Sequence, residues 1–245
     1  MWARWMQGWT LHEIGKLFDR AHTSMPIKTR KPILRKQAGE STPSIALSTN
    51  TMGSLGALLR EVRACKQCSA SLPLGPRPVL QCHTSARILI VGQAPGRKVH
   101  ESGIPFQDAS GERLRSWLGI TSELFYDERR VAILPMGFCF PGTGVSGDLP
   151  PRPECAPAWR NELLKHLKSI QLTLVIGQFA QDYHLPNAGS SVTEVVQSWR
   201  MHLPSVIPLP HPSPRNNRWL ARNPWFEAEL LPVLRKRVAL SLSDA

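Results

Sequence analysis

The chain predicts an α/β domain built on a mainly parallel, four-stranded sheet. Short apolar runs at 87–91, 131–134, 172–176 and 206–208 are separated by stretches with helical periodicity. Strands that alternate with helices pair in parallel, because each crossover returns the chain to the same end of the sheet. A second observation agrees. The residues with chemistry to offer gather at 92–96, 135–142, 177–178 and 211–217, just past the four runs. Parallel sheets bind ligands there, outside the carboxyl ends of the strands.

In chain order, residues 2–25 carry apolar side chains at Trp5, Met6, Trp9, Leu11, Ile14, Leu17 and Phe18, which fits two short helices. Thr10 with Glu13 has the spacing of a capping box. This segment resembles the first half of a transposase helix-turn-helix, cut short at Pro26, or else it is an extension upstream of a second start at Met52. Residues 27–56 turn from Lys and Arg to Ser, Thr, Pro and Gly without an apolar period, which is linker chemistry. The expected organisation is therefore a helical segment at 1–26, a flexible linker at 27–56 and the main domain at 57–245. From there the pattern predicts helix 55–65, strand 87–91 after a proline-rich loop, helix 110–118, strand 131–134 and helix 156–167. Strand 172–176, helices 178–183 and 193–202, strand 206–208 and a long closing helix at 224–240 complete it.

The 245 residues hold thirty Lys and Arg against eighteen acidic residues, a net charge of +12. Eight of the basic and three of the acidic residues fall in 1–51, so the excess is spread over both parts. That suits a polyanion, of which nucleic acid is the commonest. Hydrophobic residues at 42% with 20% charged exclude wholesale disorder. No apolar run approaches the roughly 20 residues of a spanning helix, so no membrane partner is expected. The first twenty residues carry Arg4, Glu13, Lys16, Asp19 and Arg20 without an apolar core, unlike a secretory signal. The expectation is a soluble, intracellular protein whose thiols stay reduced and serve as ligands or nucleophiles.

Gly92-Gln93-Ala94-Pro95-Gly96 follows the first strand and forms a stiff turn in which backbone N–H groups approach a ligand closely. His211-Pro212-Ser213-Pro214-Arg215-Asn216 follows the last strand; its prolines hold the loop rigid around one titratable group, His211. The two together, in this order, resemble the paired active-site motifs of the uracil-DNA glycosylase superfamily. Gly103-Ile104-Pro105-Phe106 between them is similar to the segment that supplies the base-stacking phenylalanine in the iron–sulfur (family 4) branch. The resemblance implies a three-layer α/β/α fold and a monofunctional DNA glycosylase of base excision repair. Its substrate would be DNA carrying uracil or another deaminated base. It further implies catalytic roles at His211, Gln93 and Ala94, and substrate contacts at Gly92, Pro95, Gly96, Phe106, Ser213, Arg215 and Asn216. Gln178, at the end of the third strand, is a further candidate for the pocket. Arg215, Arg218 and Arg222 would hold phosphates, and Trp219 would fill the stack left by the flipped base. A monomer is expected, and a bacterial, cytoplasmic, nucleoid-associated location.

Cys65 and Cys68 form a C-x₂-C pair, and Cys139 and Cys155 lie further on. The set is similar to the four ligands of the iron–sulfur glycosylases. Four thiolates suit a [4Fe–4S] cluster or a tetrahedral zinc, with a structural role, and leave Cys82 spare. The chain departs from that branch at two places. Gln93 stands where the branch has Glu, and Pro135 stands where it has the Asn that reads uracil. Either backbone at 136–138 then reads uracil, or the substrate is another deaminated or damaged base. No lysine falls in either motif, so strand cleavage is not expected; Lys98 is the nearest. His100 and Glu101 read as a solvated loop, and Glu112, Arg113 and Arg115 as a helix surface. His166, His184 and His202 read as helix residues without a role, and Trp117, Trp159, Trp199 and Trp225 as core. Two other readings stay open: a catalytically silent nucleic-acid-binding protein of the same fold, and a regulator that binds DNA through its N-terminal helices with a metal–thiolate switch.

Overall fold

A computed structural model describes residues 53–243 apart from Ser146. The expected helices at 1–26 and nearly all of the expected linker lie outside the described residues. Helix α1 (Leu55–Arg63) begins two residues inside the stretch expected as linker, where the Ser54 side chain caps it by accepting from the Ala57 N–H.

The four apolar runs are strands β1 (Ile88–Val91), β2 (Val131–Ile133), β5 (Leu172–Ile176) and β6 (Val206–Leu209). They form one wholly parallel sheet in the order β2-β1-β5-β6. Successive residues of a strand face opposite sides, and here both sides are covered. Ile88 and Ile90 of β1 pack with α3 (Ala109–Leu118), α4 (Ser122–Tyr126) and the closing helix α9 (Leu231–Leu242). Leu89 and Val91 pack with α1, α5 (Cys155–Lys165) and α6 (Gln178–His184). The result is the three-layer α/β/α arrangement, with near-continuous apolar strands because neither face meets water.

Several boundaries differ from expectation for local reasons. The expected helix at 193–202 is α7 (Val192–Gln197) followed by a 3-10 turn at Trp199–His202. Between them the Ser198 hydroxyl donates to the Val195 carbonyl and competes with the helical ladder. The closing helix starts as a π-turn (Phe226–Leu230) before α9. Pro232 has no N–H to donate into the preceding turn, which widens. Elements not foreseen are α2 (Arg97–Ser102), α4, α8 (Asn217–Arg222) and the hairpin of β3 (Thr143–Gly144) with β4 (Gly147–Asp148). No helix among the described residues is long and apolar enough to cross a membrane.

Candidate active site

In the strand order β2-β1-β5-β6 the chain reverses direction of build between β1 and β5, and the loops on either side part there. A cleft of about 580 Å³ opens at this end of the sheet. Gly92 to Gly96 and Phe106 line it on one side, and His211, Ser213, Pro214, Arg215 and Asn216 on the other. The structure thus brings together the two segments singled out in the sequence and Phe106, although more than a hundred residues separate the segments. Gln178 does not line the cleft; its amide donates to the Asp182 carboxylate at 2.6 Å on its own helix.

His211 is held by its neighbours. The Ser213 backbone N–H donates to its Nδ1 at 3.2 Å, and Asn216 Nδ2 donates to its carbonyl at 2.7 Å. Arg113 reaches over from α3 and donates to the Ser213 carbonyl at 3.1 Å. Arg113 is therefore an anchor of the loop and not only helix surface. With Nδ1 accepting, a neutral imidazole carries its proton on Nε2 and presents a donor. Burial pushes His211 below its ordinary range; Asp108 and Asp148 oppose this and Arg215 adds to it. The neutral form is the one at pH 7.

Phe106 owes its place to a left-handed backbone (φ 55°), uncommon for a bulky residue. Two donors hold its carbonyl, Tyr126 Oη at 3.3 Å and Arg115 Nη1 at 3.5 Å. Arg115 also lies over the Phe125 and Tyr126 rings, so it too is more than surface. A side chain at Gly111 would collide with the Phe106 carbonyl, and one at Gly92 would meet the tip of the ring at 3.6 Å. Gly111 is thus the residue that lets the Phe106 backbone lie against α3, while the ring reaches van der Waals distance of the first turn.

The opposite wall corrects an expectation. The Met136 N–H donates to the Gly92 carbonyl at 2.8 Å, the Gly137 N–H to Gln93 at 3.0 Å and the Phe138 N–H to Cys155 Sγ at 3.3 Å. These donors are committed within the protein and do not face a base. Pro135 does line the cleft, and the fully buried Arg160 holds its carbonyl at 3.3 Å and that of Leu134 at 2.9 Å. Arg160 in turn donates to His184 Nε2 at 2.7 Å, so His184 has a structural partner. Trp219 is not placed to fill a base stack: its Nε1 donates to Thr193 Oγ1 and its ring packs against Trp225 and Phe226. His100, expected in a solvated loop, is buried in α2 against Phe140. Asp108, Ser110 and Asp148 line the cleft and went unnoticed in the sequence. Asp108 was legible as a cap before a helix; Asp148 lies in a glycine-punctuated stretch that only the hairpin brings inward.

Cys65, Cys68, Cys139 and Cys155 line a single second cavity with Val62, Leu72, Phe138 and Trp159, while Cys82 is buried elsewhere. Burial pushes the Cys139 thiol up to about 11 and that of Cys155 to about 12, and the other thiols of the set add to both. Among the described residues no three Cys, His, Asp or Glu side chains are gathered closely enough to hold an ion as they stand. The donor set is four soft ligands around an apolar cavity, with a backbone N–H already directed at Cys155 Sγ, the chemistry of a thiolate-held metal group.

One comparison with known proteins bears on all of this. The family model described as Uracil DNA glycosylase superfamily matches residues 80–235, which include the four-stranded sheet and every residue lining the cleft except Val79. The chain belongs to the uracil-DNA glycosylase superfamily, whose chemistry is DNA-glycosylase chemistry and whose substrate is DNA.

Proposed function

We propose that the protein is a monofunctional DNA glycosylase of the iron–sulfur branch, releasing uracil or another deaminated base. The observation that carries this reading is the neutral His211, with Nε2 as its donor, in the same cleft as the Phe106 ring and the Gly92–Gly96 turn. Breaking the bond between base and deoxyribose leaves a cation-like sugar and puts negative charge on the departing base. Duplex DNA hides that bond, so the nucleotide is flipped out, at a cost of a few kcal/mol. Phe106 stacks on the base. His211 Nε2–H donates a hydrogen bond to its oxygen as charge develops, a contribution that is largest in a dry, preorganised site. Arg215, Arg218 and Arg222 hold phosphates beside the cleft. Among the described residues no lysine lines the cleft to form a Schiff base, which supports simple hydrolysis without strand cleavage.

Cys65, Cys68, Cys139 and Cys155 are assigned to a [4Fe–4S] cluster, with zinc as the alternative. A single zinc draws four sulfurs to about 2.3 Å from one centre, which asks more movement of these thiols than a cluster does. The group when bound supplies a structural tether between the end of α1, the loop after β2 and the start of α5. The protein is proposed to act as a bacterial, cytoplasmic, nucleoid-associated monomer.

A base-release assay tests the reading, with single- and double-stranded oligonucleotides carrying uracil, hypoxanthine or xanthine and alkali to reveal abasic sites. Release of one or more bases is expected. Gln93 and Pro135, which put amide and ring where the resemblance implies carboxylate and Asn, favour a second reading, a silent DNA-binding protein. DNA binding without release of any base would establish that one.

A further inference from the structure

Hydrolysis needs a group to take a proton from the attacking water, and the first motif offers none. Ala94 has only a methyl, and the Gln93 amide is engaged elsewhere: its Nε2 donates to the Leu149 carbonyl at 3.1 Å. That bond fastens the turn after β1 to the hairpin of β3 and β4. The hairpin is closed on itself by the Leu149 N–H donating to the Gly142 carbonyl at 2.8 Å. Arg215 of the second motif packs so tightly on Gly147 that a side chain there would strike its Nη1. Both motifs therefore grip one hairpin, and its last residue is Asp148.

Two carboxylates line the cleft and they are not equivalent. Asp108 is tied down as the cap of α3, with Oδ1 accepting from the Gly111 N–H at 2.9 Å. The Asp148 side chain is exposed, and its carboxylate has no hydrogen bond or ion pair to another described residue. Its Oδ2 lies 3.2 Å from where a side chain on Gly96 would begin, so the carboxylate sits directly against the turn of the first motif. A carboxylate at the mouth of a cleft that takes a polyanion weakens its binding. Its place there calls for a chemical reason.

We propose that Asp148 is the catalytic carboxylate that takes the proton of the attacking water and faces the positively charged sugar. This rests on the glycosylase reading. As the bond from C1′ to the base nitrogen breaks, its electron pair leaves with the base, which His211 supports. The water oxygen bonds to C1′ and its proton passes to Asp148, then to solvent at the open side of the cleft. Atoms and charge balance without a further reactant.

The test compares Asp148→Asn, Asp148→Ala and Asp148→Glu with the unaltered protein, each checked for unchanged melting. Single-turnover release is measured from saturating single-stranded DNA carrying the base the unaltered protein releases best. Binding is measured on the same strand without the target base. General-base catalysis contributes about 100-fold or more, so Asn and Ala are expected to slow release by about that factor while binding DNA as tightly or more tightly. Glu restores part of the rate, and added formate accelerates the Ala variant but not the unaltered protein. Release by Asp148→Asn within twofold of the unaltered rate overturns the assignment alone. So does a loss of rate matched by loss of binding and untouched by formate. No release from any deaminated base by the unaltered protein overturns the glycosylase reading and this assignment with it.

Discussion

The cleft and the cysteine-lined cavity are neighbours built on one loop, and burial acts on them in opposite senses. Pro135 faces the cleft, while Gly137 to Cys139 face the cavity. In both places burial favours the uncharged form of a titratable group. In the cleft this lowers His211 and keeps it neutral, which is the form that donates to a departing base. In the cavity it raises the thiols of Cys139 and Cys155, the opposite of what a ligand needs. A bound cationic centre reverses that preference. On the proposed reading, the cleft holds its working protonation state unaided, whereas the cavity needs a bound metal group to hold its thiolates.

The largest effect that separates the two regions is expected at Cys155. Cys155→Ala should abolish iron or zinc in the purified protein and lower the melting temperature by roughly 10 °C, following loss of about 3 kcal/mol. Full metal content in this variant breaks the assignment. Next is Arg160, the link between the regions. Arg160→Met leaves the Leu134 and Pro135 carbonyls unpaired inside the protein and should cost about 2 kcal/mol. Denaturant unfolding measures it, and a change under about 0.5 kcal/mol would mean the carbonyls find other donors. Phe106→Ala removes one face of the base pocket; base–aromatic stacking of about 1–3 kcal/mol implies roughly tenfold weaker substrate binding, with melting little changed.

A further effect, seen only on acidification, is a pH dependence at the far side of Arg160. Burial, reinforced by Arg160, pushes His184 down to about 3. The unfolded chain takes up that proton below about 6.5, whereas the folded chain does not. The contribution is thus fully present above about pH 6.5 and is lost as pH falls toward 3. His184→Gln keeps an acceptor for Arg160 without titrating, so it should flatten the acid slope of the melting temperature in that window. An unchanged slope would assign the acid sensitivity to other groups.

What was legible in the sequence follows the same physical divide. Strand β5 reads directly from its apolar run because both its faces are buried. The two motif turns read from glycine and proline, whose backbone preferences are local. Interactions that cross the fold left no local trace. Arg113 and Arg115 look like the polar face of a helix, and only the approach of the His211 and Phe106 loops makes them anchors. The N–H groups of 136–138 looked available because their partners, Gly92, Gln93 and Cys155, are distant in sequence. The hairpin that carries Asp148 has two residues per strand, too few for a period of two to show.

The most direct test of the central claim sets His211→Ala beside Cys155→Ala in one experiment. Single-turnover release of uracil from single-stranded DNA is measured well below the melting temperature of each, and melting is recorded in parallel. The expected result is a fall of about 100- to 1000-fold in release for His211→Ala with melting unchanged. Cys155→Ala should melt earlier yet release the base at a rate near that of the unaltered protein. Release by His211→Ala at the unaltered rate would contradict the assignment of the chemistry to the cleft.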